Sequence, residues 1–505
     1  MSEPLDLLII GAGFSGLGMA IRADRAGFGR FLILEKAADV GGTWQANTYP
    51  GAASDIPSHL YSLSFAPKAD WSRLFPRQPE IEAYLRSLVD GHGLRGRLRL
   101  NTLAHSATWD EEAGLWRVET DRGVHTARVL VSAIGALHHP SIPKLPGLEG
   151  FAGPAFHSSR WDHGCDLQGK RVGVVGTGAS AIQFVPEIVG EVAHLTLFQR
   201  SAPWVLPRGD RPVAERDKAR YARLPLARWL FRQRLFWQRE MVAFAGFTRV
   251  SKLTETGEKV GRHHLRKAVK DKALREALTP RYRLGCKRVL LSDDYYPALA
   301  RPNVSVVTDG IERVLPYGIR TADGTEHALD AIVFGTGFDV AGSFERITVT
   351  GRDGASLKEA WRDGMDAFQG LAVHGFPNLF LLLGPNTGLG HNSVVAMIET
   401  QVTHVLGALR YLRGHPGRAL DVTRDAQRRF RAEVDRRMRG SIWTSGGCGS
   451  WYLDGEGRNR TLWPASVTAY WRGARRMRLG DYEAVPQNRT GSSAKVGGSA
   501  SNHSP

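Results

Sequence analysis

The sequence predicts an α/β fold with two Rossmann-like dinucleotide-binding domains and a helical insertion. Two glycine-rich runs, LLIIGAGFSGLGMA near the N-terminus and VGVVGTGASAIQ further along, each follow an apolar strand pattern and open a helical one. One such run is weak evidence, whereas two in this setting predict two bound dinucleotides. An arginine-rich stretch of helical periodicity supplies the insertion. A chain of 505 residues also exceeds the size at which one core stops growing, so two or three domains are expected.

The first glycine run predicts a pyrophosphate site. Gly11 permits a tight turn, Gly13 lets the backbone approach the pyrophosphate, and Gly16 lets the helix pack closely on the strand. The pyrophosphate then lies at the helix N-terminus, where free N–H groups and the helix dipole favour an anion. The next apolar strand, FLILEK, ends in Glu35, where an acid can accept a hydrogen bond from an adenosine ribose. FAD and NAD both satisfy this acid, so the first module alone leaves the two open.

The second module differs at the position that reads the ribose. Its second strand, HLTLFQRSAPW, ends in Gln199, Arg200 and Ser201, with no acid there. Arginine suits the 2′-phosphate of NADPH because its planar fork donates two parallel hydrogen bonds. The alternative is a surface arginine in an arginine-rich chain. Two dinucleotide modules in one chain are the ground plan of a flavoprotein that takes hydride from a nicotinamide cofactor. The arginine in the second module therefore assigns NADPH to that module and FAD to the first.

Shifts in composition divide the chain into domains. The linker ALHHPSIPKLPGLEGF is rich in proline and glycine and marks a boundary. We predict an FAD-binding domain from residues 1–140 and 381–482, an NADPH-binding domain from residues 141–208 and 289–380, and a helical insertion over residues 209–288. Residues 486–505 are of low complexity and are predicted to form a disordered tail.

A formal net charge of +17 raises the question of a nucleic-acid or anionic-membrane partner. Much of the excess lies in the insertion, in the runs ARYARLPLARWLFRQRLFWQRE and GRHHLRKAVKDKALRE. These runs indicate amphipathic helices with solvated basic faces and with their aromatic residues in the core. We therefore expect no nucleic-acid partner. The oligomeric state is left open.

Cysteines and apolar runs indicate the cellular setting. Cys165, Cys286 and Cys448 are too few for a disulfide framework, and they lack metal-ligand or redox-dithiol spacing. Cys286 is interpreted as a small buried hydrophobe. The sequence shows no signal peptide and no apolar run long enough to span a bilayer. A cytoplasmic enzyme without a metal site or a transmembrane segment is expected.

Several segments resemble a known enzyme family. Through Phe151, Gly153, His157 and Trp161, the run FAGPAFHSSRWD matches the F-x-G-x-x-x-H-x-x-x-W-[PD] fingerprint of type I Baeyer–Villiger monooxygenases, which are class B flavoprotein monooxygenases. The runs GGTWQANTYPGAASD, LGCKRVLLSDDYYPALARPNV and CGSWYLDGEGRNRTLWP are similar to further family blocks, so the resemblance spans residues 7–482. It implies an enzyme that uses FAD, NADPH and O2 to insert oxygen beside a ketone carbonyl through a C4a-peroxyflavin, giving an ester or lactone.

The resemblance also implies roles for individual residues. Arg288 would stand over the flavin with Asp55 holding it, and Lys287 would join Arg200 on the 2′-phosphate. The implied FAD contacts include Glu35, Thr43, Trp44, Asp55 and Tyr61; the implied NADP contacts include Gly176, Thr177, Gly178, Ala179, Ser180, Ala181, Gln183, Ser201 and Trp451. The four fingerprint residues would lie at the domain junction, where the family links cofactor movement to catalysis. His157 is interpreted as packing there, with acid–base catalysis as the alternative.

The chemistry of these residues suits the implied reaction. An anionic oxygen nucleophile in a partly dry site needs a fixed cation, and arginine does not lose its proton. Asp55 would orient Arg288 through charge-assisted hydrogen bonds; the alternative is a structural ion pair between domains. Two other functions remain open on the sequence alone. One is a flavin monooxygenase that oxidises sulfur or nitrogen and depends little on Arg288. The other is a non-catalytic redox sensor or nucleic-acid binder that keeps the cofactor fold.

Overall fold

The computed structural model of the protein describes residues 3–247, 252–340, 342–449, 452–454 and 456–486. Within these ranges, mixed helices and parallel sheets confirm the predicted α/β fold. The predicted tail lies outside the described residues, apart from Pro486 at the end of the last strand. Trp451 also lies outside them.

The strands and helices of the described residues are labelled in chain order. The strands are β1 (Leu5–Ile10), β2 (Phe31–Leu34), β3 (Leu98–Arg99), β4 (Ala104–Asp110), β5 (Leu115–Thr120), β6 (Gly123–Ser132), β7 (Ala155–His157), β8 (Arg171–Val175), β9 (His194–Phe198), β10 (Val205–Leu206), β11 (Leu290–Leu291), β12 (Val304–Val307), β13 (Ile311–Leu315), β14 (Gly318–Thr321), β15 (Glu326–Ala328), β16 (Ala331–Phe334), β17 (Thr348–Thr350), β18 (Leu379–Leu381), β19 (Arg418–Val422) and β20 (Tyr482–Pro486). The helices are α1 (Phe14–Arg25), α2 (Thr43–Ala46), α3 (Gln78–Gly91), α4 (Ala181–Ile188), α5 (Glu215–Arg223), α6 (Pro225–Phe247), α7 (Lys252–Ala268), α8 (Lys272–Ala277), α9 (Tyr295–Leu299), α10 (Gly342–Glu345), α11 (Leu357–Ala360), α12 (Val394–Gly414), α13 (Arg424–Met438), α14 (Ile442–Ser445) and α15 (Val467–Ala474). Short 3₁₀ turns cover Arg95–Arg97, Leu148–Gly150, Ser158–Arg160, Arg352–Gly354 and Leu479–Asp481.

The first glycine run lies at the centre of the largest sheet. Strand β1 pairs in parallel with β2 on one side and with β6 on the other, and the order across the sheet is β17-β4-β5-β6-β1-β2-β3. Leu7, Leu8 and Ile9 on β1 are fully buried, as expected for a parallel strand covered on both faces. Helix α1 follows at the carboxyl end of β1 and packs against α12. The N-terminus of α1 therefore points at the crevice where such sheets bind ligands.

The second glycine run lies in a separate parallel sheet of five strands. Its order is β12-β9-β8-β16-β7, with β8 paired to β9 and to β16. Helix α4 begins directly after the glycine turn. The two glycine runs thus have the same strand–turn–helix arrangement in two different sheets, as the sequence predicts.

The chain returns to the first sheet earlier than predicted. Strand β17 pairs with β4, and β18 pairs with β6, so both strands belong to the largest sheet. The sequence-based limit at residue 380 therefore places β17 and the first two residues of β18 in the wrong domain. Each of these strands has three residues, which is too short for hydrophobic periodicity to indicate a sheet.

The insertion is helical, as predicted. On its longest helix, however, two arginines face inward and two tryptophans are exposed, the reverse of the expectation. Arg232 and Arg239 of α6 turn inward and bind the FAD-binding domain, whereas Trp229 and Trp237 are about half exposed. The expectation of solvated arginines and buried aromatic residues is wrong for these four side chains, whereas Arg234 is exposed and Phe231 and Phe236 are partly buried, as expected. The periodicity of a helix that is apolar on several sides does not fix which side is buried. None of the described helices combines the length and the apolar character needed to cross a bilayer.

Cys286 and Cys448 form a disulfide across 162 residues of sequence, which corrects the interpretation of Cys286 as a simple buried hydrophobe. Cys165 is a free thiol. The bond joins the segment that carries Lys287 and Arg288 to the segment before Tyr452. Sequence spacing gives no sign of such a pairing, because the fold alone brings the two positions together.

We expect alkylation of the denatured protein to count one thiol without reductant and three after reduction. The measurement is the intact mass after treatment with iodoacetamide. A Cys448→Ser variant serves as a matched control, since its non-reduced form should show two reactive thiols. Three thiols in the non-reduced wild-type protein would contradict the pairing.

Candidate active site

One continuous cavity of about 1440 Å³ lies where the two sheets meet. Both glycine turns, the end of β2 and the loop before α12 line it. Pockets for a single small molecule measure roughly 300–1,000 Å³, so this cavity has room for more than one ligand. Its position at the carboxyl ends of β1 and β8 is the expected place for dinucleotides in parallel sheets.

The three glycines of the first run have distinct environments. Gly11 has a φ of 107°, and a Cβ there would lie 2.5 Å from the Ala133 carbonyl oxygen. A Cβ on Gly16 would lie 1.8 Å from the Gly11 carbonyl oxygen. The nearest atom to a Cβ on Gly13 is 3.6 Å away, which is an ordinary contact. The fold therefore requires glycine at residues 11 and 16, whereas at Gly13 the requirement comes from the ligand.

Glu35 is fixed beside the first glycine turn. Its carboxylate accepts hydrogen bonds from the Ala12 N–H at 2.8 Å and from the Ala37 N–H at 2.9 Å. Burial raises the pKa of Glu35, although these hydrogen bonds oppose the rise. The acid predicted to meet the adenosine ribose thus lies at the end of β2, on the cavity wall.

The residues predicted to meet the rest of FAD line the same cavity. Thr43 and Trp44 begin α2, and the Trp44 indole N–H donates to the Tyr61 hydroxyl at 3.0 Å. Burial raises the pKa of Tyr61 to about 12, so its hydroxyl stays protonated. A turn that leaves Gly13 open toward the cavity, an acid at the end of β2 and a packed aromatic pair fit a flavin dinucleotide.

The second glycine turn has the same geometry as the first. Gly176 has a φ of 103°, and a Cβ there would lie 2.6 Å from the Gly335 carbonyl oxygen. The predicted loop residues Thr177, Gly178, Ala179 and Ser180 line the cavity before Ala181 opens α4. Gln183 also lines it, but its amide accepts from the Tyr49 hydroxyl at 3.0 Å and donates to the Ala53 carbonyl at 2.9 Å. Gln183 therefore links the two domains.

Three residues predicted to contact NADP lie together at the second site. The Lys287 ammonium donates to the Ser201 hydroxyl at 2.8 Å, and Arg200 lines the cavity beside them. Burial, and then the positive charge of Arg200, lowers the pKa of Lys287. Two neighbouring cations repel each other, and a phosphate bound between them offsets that repulsion. The pair therefore favours a shared anion.

We expect Arg200→Ala to weaken NADPH binding by about tenfold or more, because a hydrogen bond to a charged group contributes ~1.5–3 kcal/mol. NADH binding should change little, since NADH lacks the 2′-phosphate. Titration of each cofactor against the purified flavoprotein measures both dissociation constants. An equal loss for both cofactors would mean that Arg200 supports the fold and does not read the phosphate.

Arg288 and Asp55 meet although 233 residues separate them. The guanidinium donates to Asp55 Oδ2 from Nε at 2.9 Å and from Nη2 at 2.5 Å, and Nη1 donates to the Leu389 carbonyl at 3.4 Å. Both side chains are partly exposed, at 35% and 26%, and both line the cavity. The Asp55 charge raises the pKa of Arg288; burial favours a neutral Asp55, but the Arg288 charge outweighs it and lowers the Asp55 pKa. The pair is therefore ionised.

Comparisons with known proteins agree with this site. A family model described as pyridine nucleotide-disulphide oxidoreductase matches residues 8–212. A Baeyer–Villiger monooxygenase of Streptomyces coelicolor is 47% identical over 484 residues, which cover 96% of this chain and 93% of the relative. Another, from Pseudomonas aeruginosa, is 48% identical over 458 residues, covering 90% and 87%. The chain belongs to the Baeyer–Villiger monooxygenases.

A solved structure extends the match to the whole fold. A crystal structure of OTEMO in complex with FAD and NADP superposes with a TM-score of 0.85 at 29% identity, covering 96% of this chain and all of that one. As a Baeyer–Villiger monooxygenase, this protein is a flavin-dependent oxidoreductase that uses NADPH. The family resemblance and the cofactor pair inferred from the sequence are confirmed.

The fingerprint residues of this monooxygenase lie behind the cavity. His157 is buried at the end of β7, where its Nδ1 accepts from the Ser159 N–H at 3.1 Å. Burial lowers the pKa of His157 to about 4, so the ring is neutral near pH 7. Trp161 packs against Phe156 and Phe184, with ring centroids 5.3 and 5.4 Å away. These contacts favour the packing interpretation of His157 over acid–base catalysis.

The other two fingerprint residues also serve the packing of the NADPH-binding domain. Phe151 packs on the cluster around the β13–β14 hairpin. A Cβ on Gly153 would lie 2.3 Å from the Asp330 carbonyl oxygen, so this position accepts no side chain. Both residues support the segment that carries His157 to the junction.

Sequence reasoning missed one side chain of the reaction site and one that contacts the backbone of Asp55. The Arg239 guanidinium of α6 donates to the Asp55 backbone carbonyl at 3.3 Å, and Tyr452 lines the cavity near Arg288. Burial lowers the pKa of Arg239, while the Asp55 charge opposes this. The family block CGSWYLDGEG could have drawn attention to Tyr452. Arg239 gives no sequence signal, because it stands among many arginines.

Proposed function

We propose that this enzyme inserts one oxygen atom of O2 next to the carbonyl carbon of a ketone, with Arg288 as the catalytic cation and Asp55 as its positioning residue. The observation that carries this proposal is the Arg288–Asp55 pair facing the cavity where the two glycine turns converge. The first module would hold FAD through the Gly11–Gly16 turn and Glu35. The second would hold NADPH through the Gly176–Ala181 turn, Arg200 and Lys287.

Bound flavin, once reduced by NADPH, supplies the activation of O2. The chain supplies a fixed positive potential for the negative charge that develops on oxygen. Donors and charges held in place act strongly in a site from which water is partly excluded, since they need no reorganisation during the reaction. Arg288 fulfils this role because its guanidinium keeps its proton and Asp55 fixes its orientation.

The charge balance of the site favours an anion. Asp55 alone would neutralise Arg288, but Arg239 adds a second positive charge near the same carboxylate. Arg288, Asp55 and Arg239 together carry a net charge of one positive unit, whereas an isolated ion pair has no net charge. This excess supports a catalytic role for Arg288 over a purely structural ion pair between domains.

A screen of NADPH consumption over cyclic, linear and aryl ketones and over thioethers tests the proposed function. We expect at least one ketone to stimulate consumption and to yield a product heavier by one oxygen atom, with the chromatographic behaviour of an ester or lactone. Formation of S-oxides from thioethers, with no oxygenated product from any ketone, would overturn the proposal. It would favour oxidation of a heteroatom instead.

A further inference from the structure

The outward face of helix α6 is apolar. In residues 225–241, the exposed large hydrophobic side chains are Leu226, Trp229, Leu230, Trp237 and Met241, with exposed fractions from 49% for Trp237 to 71% for Met241. Most of them are spaced by four or seven residues, which places them along one stripe of the helix. Single exposed hydrophobic residues are ordinary on a protein surface, whereas a stripe with two tryptophans marks an interaction surface.

Contacts on the other side of α6 fix this orientation. The Arg232 guanidinium donates to the His59 carbonyl at 2.6 Å and to the Ser62 carbonyl at 2.9 Å. Arg239, seven residues further along the same side of the helix, donates to the Asp55 backbone carbonyl at 3.3 Å. Rotation of the helix would break these contacts and leave buried charges unpaired. The apolar stripe is therefore held toward the outside.

Exposed cations are concentrated on the two helices that pack against α6. Helices α5 and α7 both pack against α6. Their exposed basic side chains are Arg216, Arg220 and Arg223 on α5 and Lys252, Lys259, Arg262, Arg266 and Lys267 on α7. Residues 209–288 contain 22 lysines and arginines against 8 aspartates and glutamates, so the insertion carries most of the net charge.

We propose that the outward face of α6 docks on an anionic lipid surface. Tryptophan and leucine side chains partition into the boundary between headgroups and acyl chains, while neighbouring lysines and arginines attract lipid phosphates. An exposed apolar stripe on one helix, with exposed cations on the two helices that pack against that helix, is the arrangement that such binding uses. Helix α6 would then lie in the plane of the interface with its arginine-bearing side turned toward the reaction site.

Charge and composition argue against two other occupants. A second copy of the chain would bring two strongly cationic insertions together, and like charges oppose such a contact. Residues 487–505 have only one large apolar side chain, Val496, and carry little to cover the stripe. Duplex DNA would satisfy the cations but would leave Leu226, Leu230 and Met241 without apolar partners.

Sedimentation of the FAD-loaded full chain with vesicles tests this proposal. We expect binding to vesicles of phosphatidylcholine mixed with phosphatidylglycerol, weaker binding to phosphatidylcholine alone, and a decrease at high salt. Trp229→Ser combined with Trp237→Ser should lower the partition coefficient by about tenfold or more, because binding scales with buried apolar area. Arg220→Glu with Arg223→Glu should weaken binding to anionic vesicles without removing an apolar side chain.

The control variant is Tyr317→Ser, which removes an aromatic side chain of similar exposure (53%) from the hairpin of the NADPH-binding domain. It should bind vesicles as the wild type does. Retained FAD in every variant shows that each is folded. The proposal is overturned if the wild type does not sediment with anionic vesicles or if the double tryptophan variant binds as the wild type does. Two further results would overturn it. One is a wild-type dimer that the double tryptophan variant does not form, together with no vesicle binding by the wild type. The other is duplex DNA that binds as tightly as anionic vesicles and competes with them.

Discussion

Replacing Arg288 by alanine should abolish ester formation while NADPH oxidation continues, with the electrons leaving as hydrogen peroxide. Reduction of the flavin needs the nicotinamide to be placed against it, whereas oxygen insertion needs a cation next to the developing negative charge. Loss of one preorganised electrostatic donor typically costs ~10²–10³ in rate, and a full cation facing an anion should lie at the upper end. Stopped-flow reduction by NADPH and product yield on an accepted ketone measure the two half-reactions separately.

Asp55→Ala is the matched control for this experiment. It leaves the Arg288 charge in place and removes only the carboxylate that accepts hydrogen bonds from Arg288 Nε and Nη2. A milder decrease in ester yield is expected, with the same shift of electrons toward hydrogen peroxide. Ester formation by Arg288→Ala at a near-normal rate would show that another group stabilises the anion, and the proposed role of Arg288 would then be wrong.

Gly13→Ala should release FAD from a protein that still folds. A Cβ at this position meets nothing closer than 3.6 Å, so the polypeptide accepts it. The same Cβ would occupy space that the pyrophosphate needs, and we expect FAD to bind about tenfold more weakly or worse, equivalent to ~1.4 kcal/mol or more. The bound flavin is measured from its visible absorbance, and the fold from circular dichroism of the apoprotein.

Gly16→Ala provides the contrasting control. Its Cβ would lie 1.8 Å from the Gly11 carbonyl oxygen, so the strand and helix must separate. Overpacking of this kind costs about 1–3 kcal/mol or more, and we expect a lower unfolding temperature in the apoprotein itself. If Gly13→Ala retained FAD as the wild type does, the first glycine turn would not be the pyrophosphate site.

The sequence by itself determined the parts of this protein that depend on neighbouring residues. A strand, a glycine turn and a helix form a local unit, so LLIIGAGFSGLGMA and VGVVGTGASAIQ predict both cofactor domains. The distance along the chain from Gly11 to Glu35 is set by one helix and one strand, and this places the acid correctly. Arg288 and Asp55 were predicted as partners through family resemblance, since nothing in their spacing relates them.

Tertiary structure alone decided which residues at distant positions meet. The disulfide between Cys286 and Cys448 and the approach of Arg239 to Asp55 depend on how the insertion folds back on the FAD-binding domain. The same packing turns Arg232 and Arg239 of α6 inward and its tryptophans outward. Local periodicity indicates that a helix has several apolar sides. Which side is buried depends on the shape and charge of the protein surface against which the helix packs.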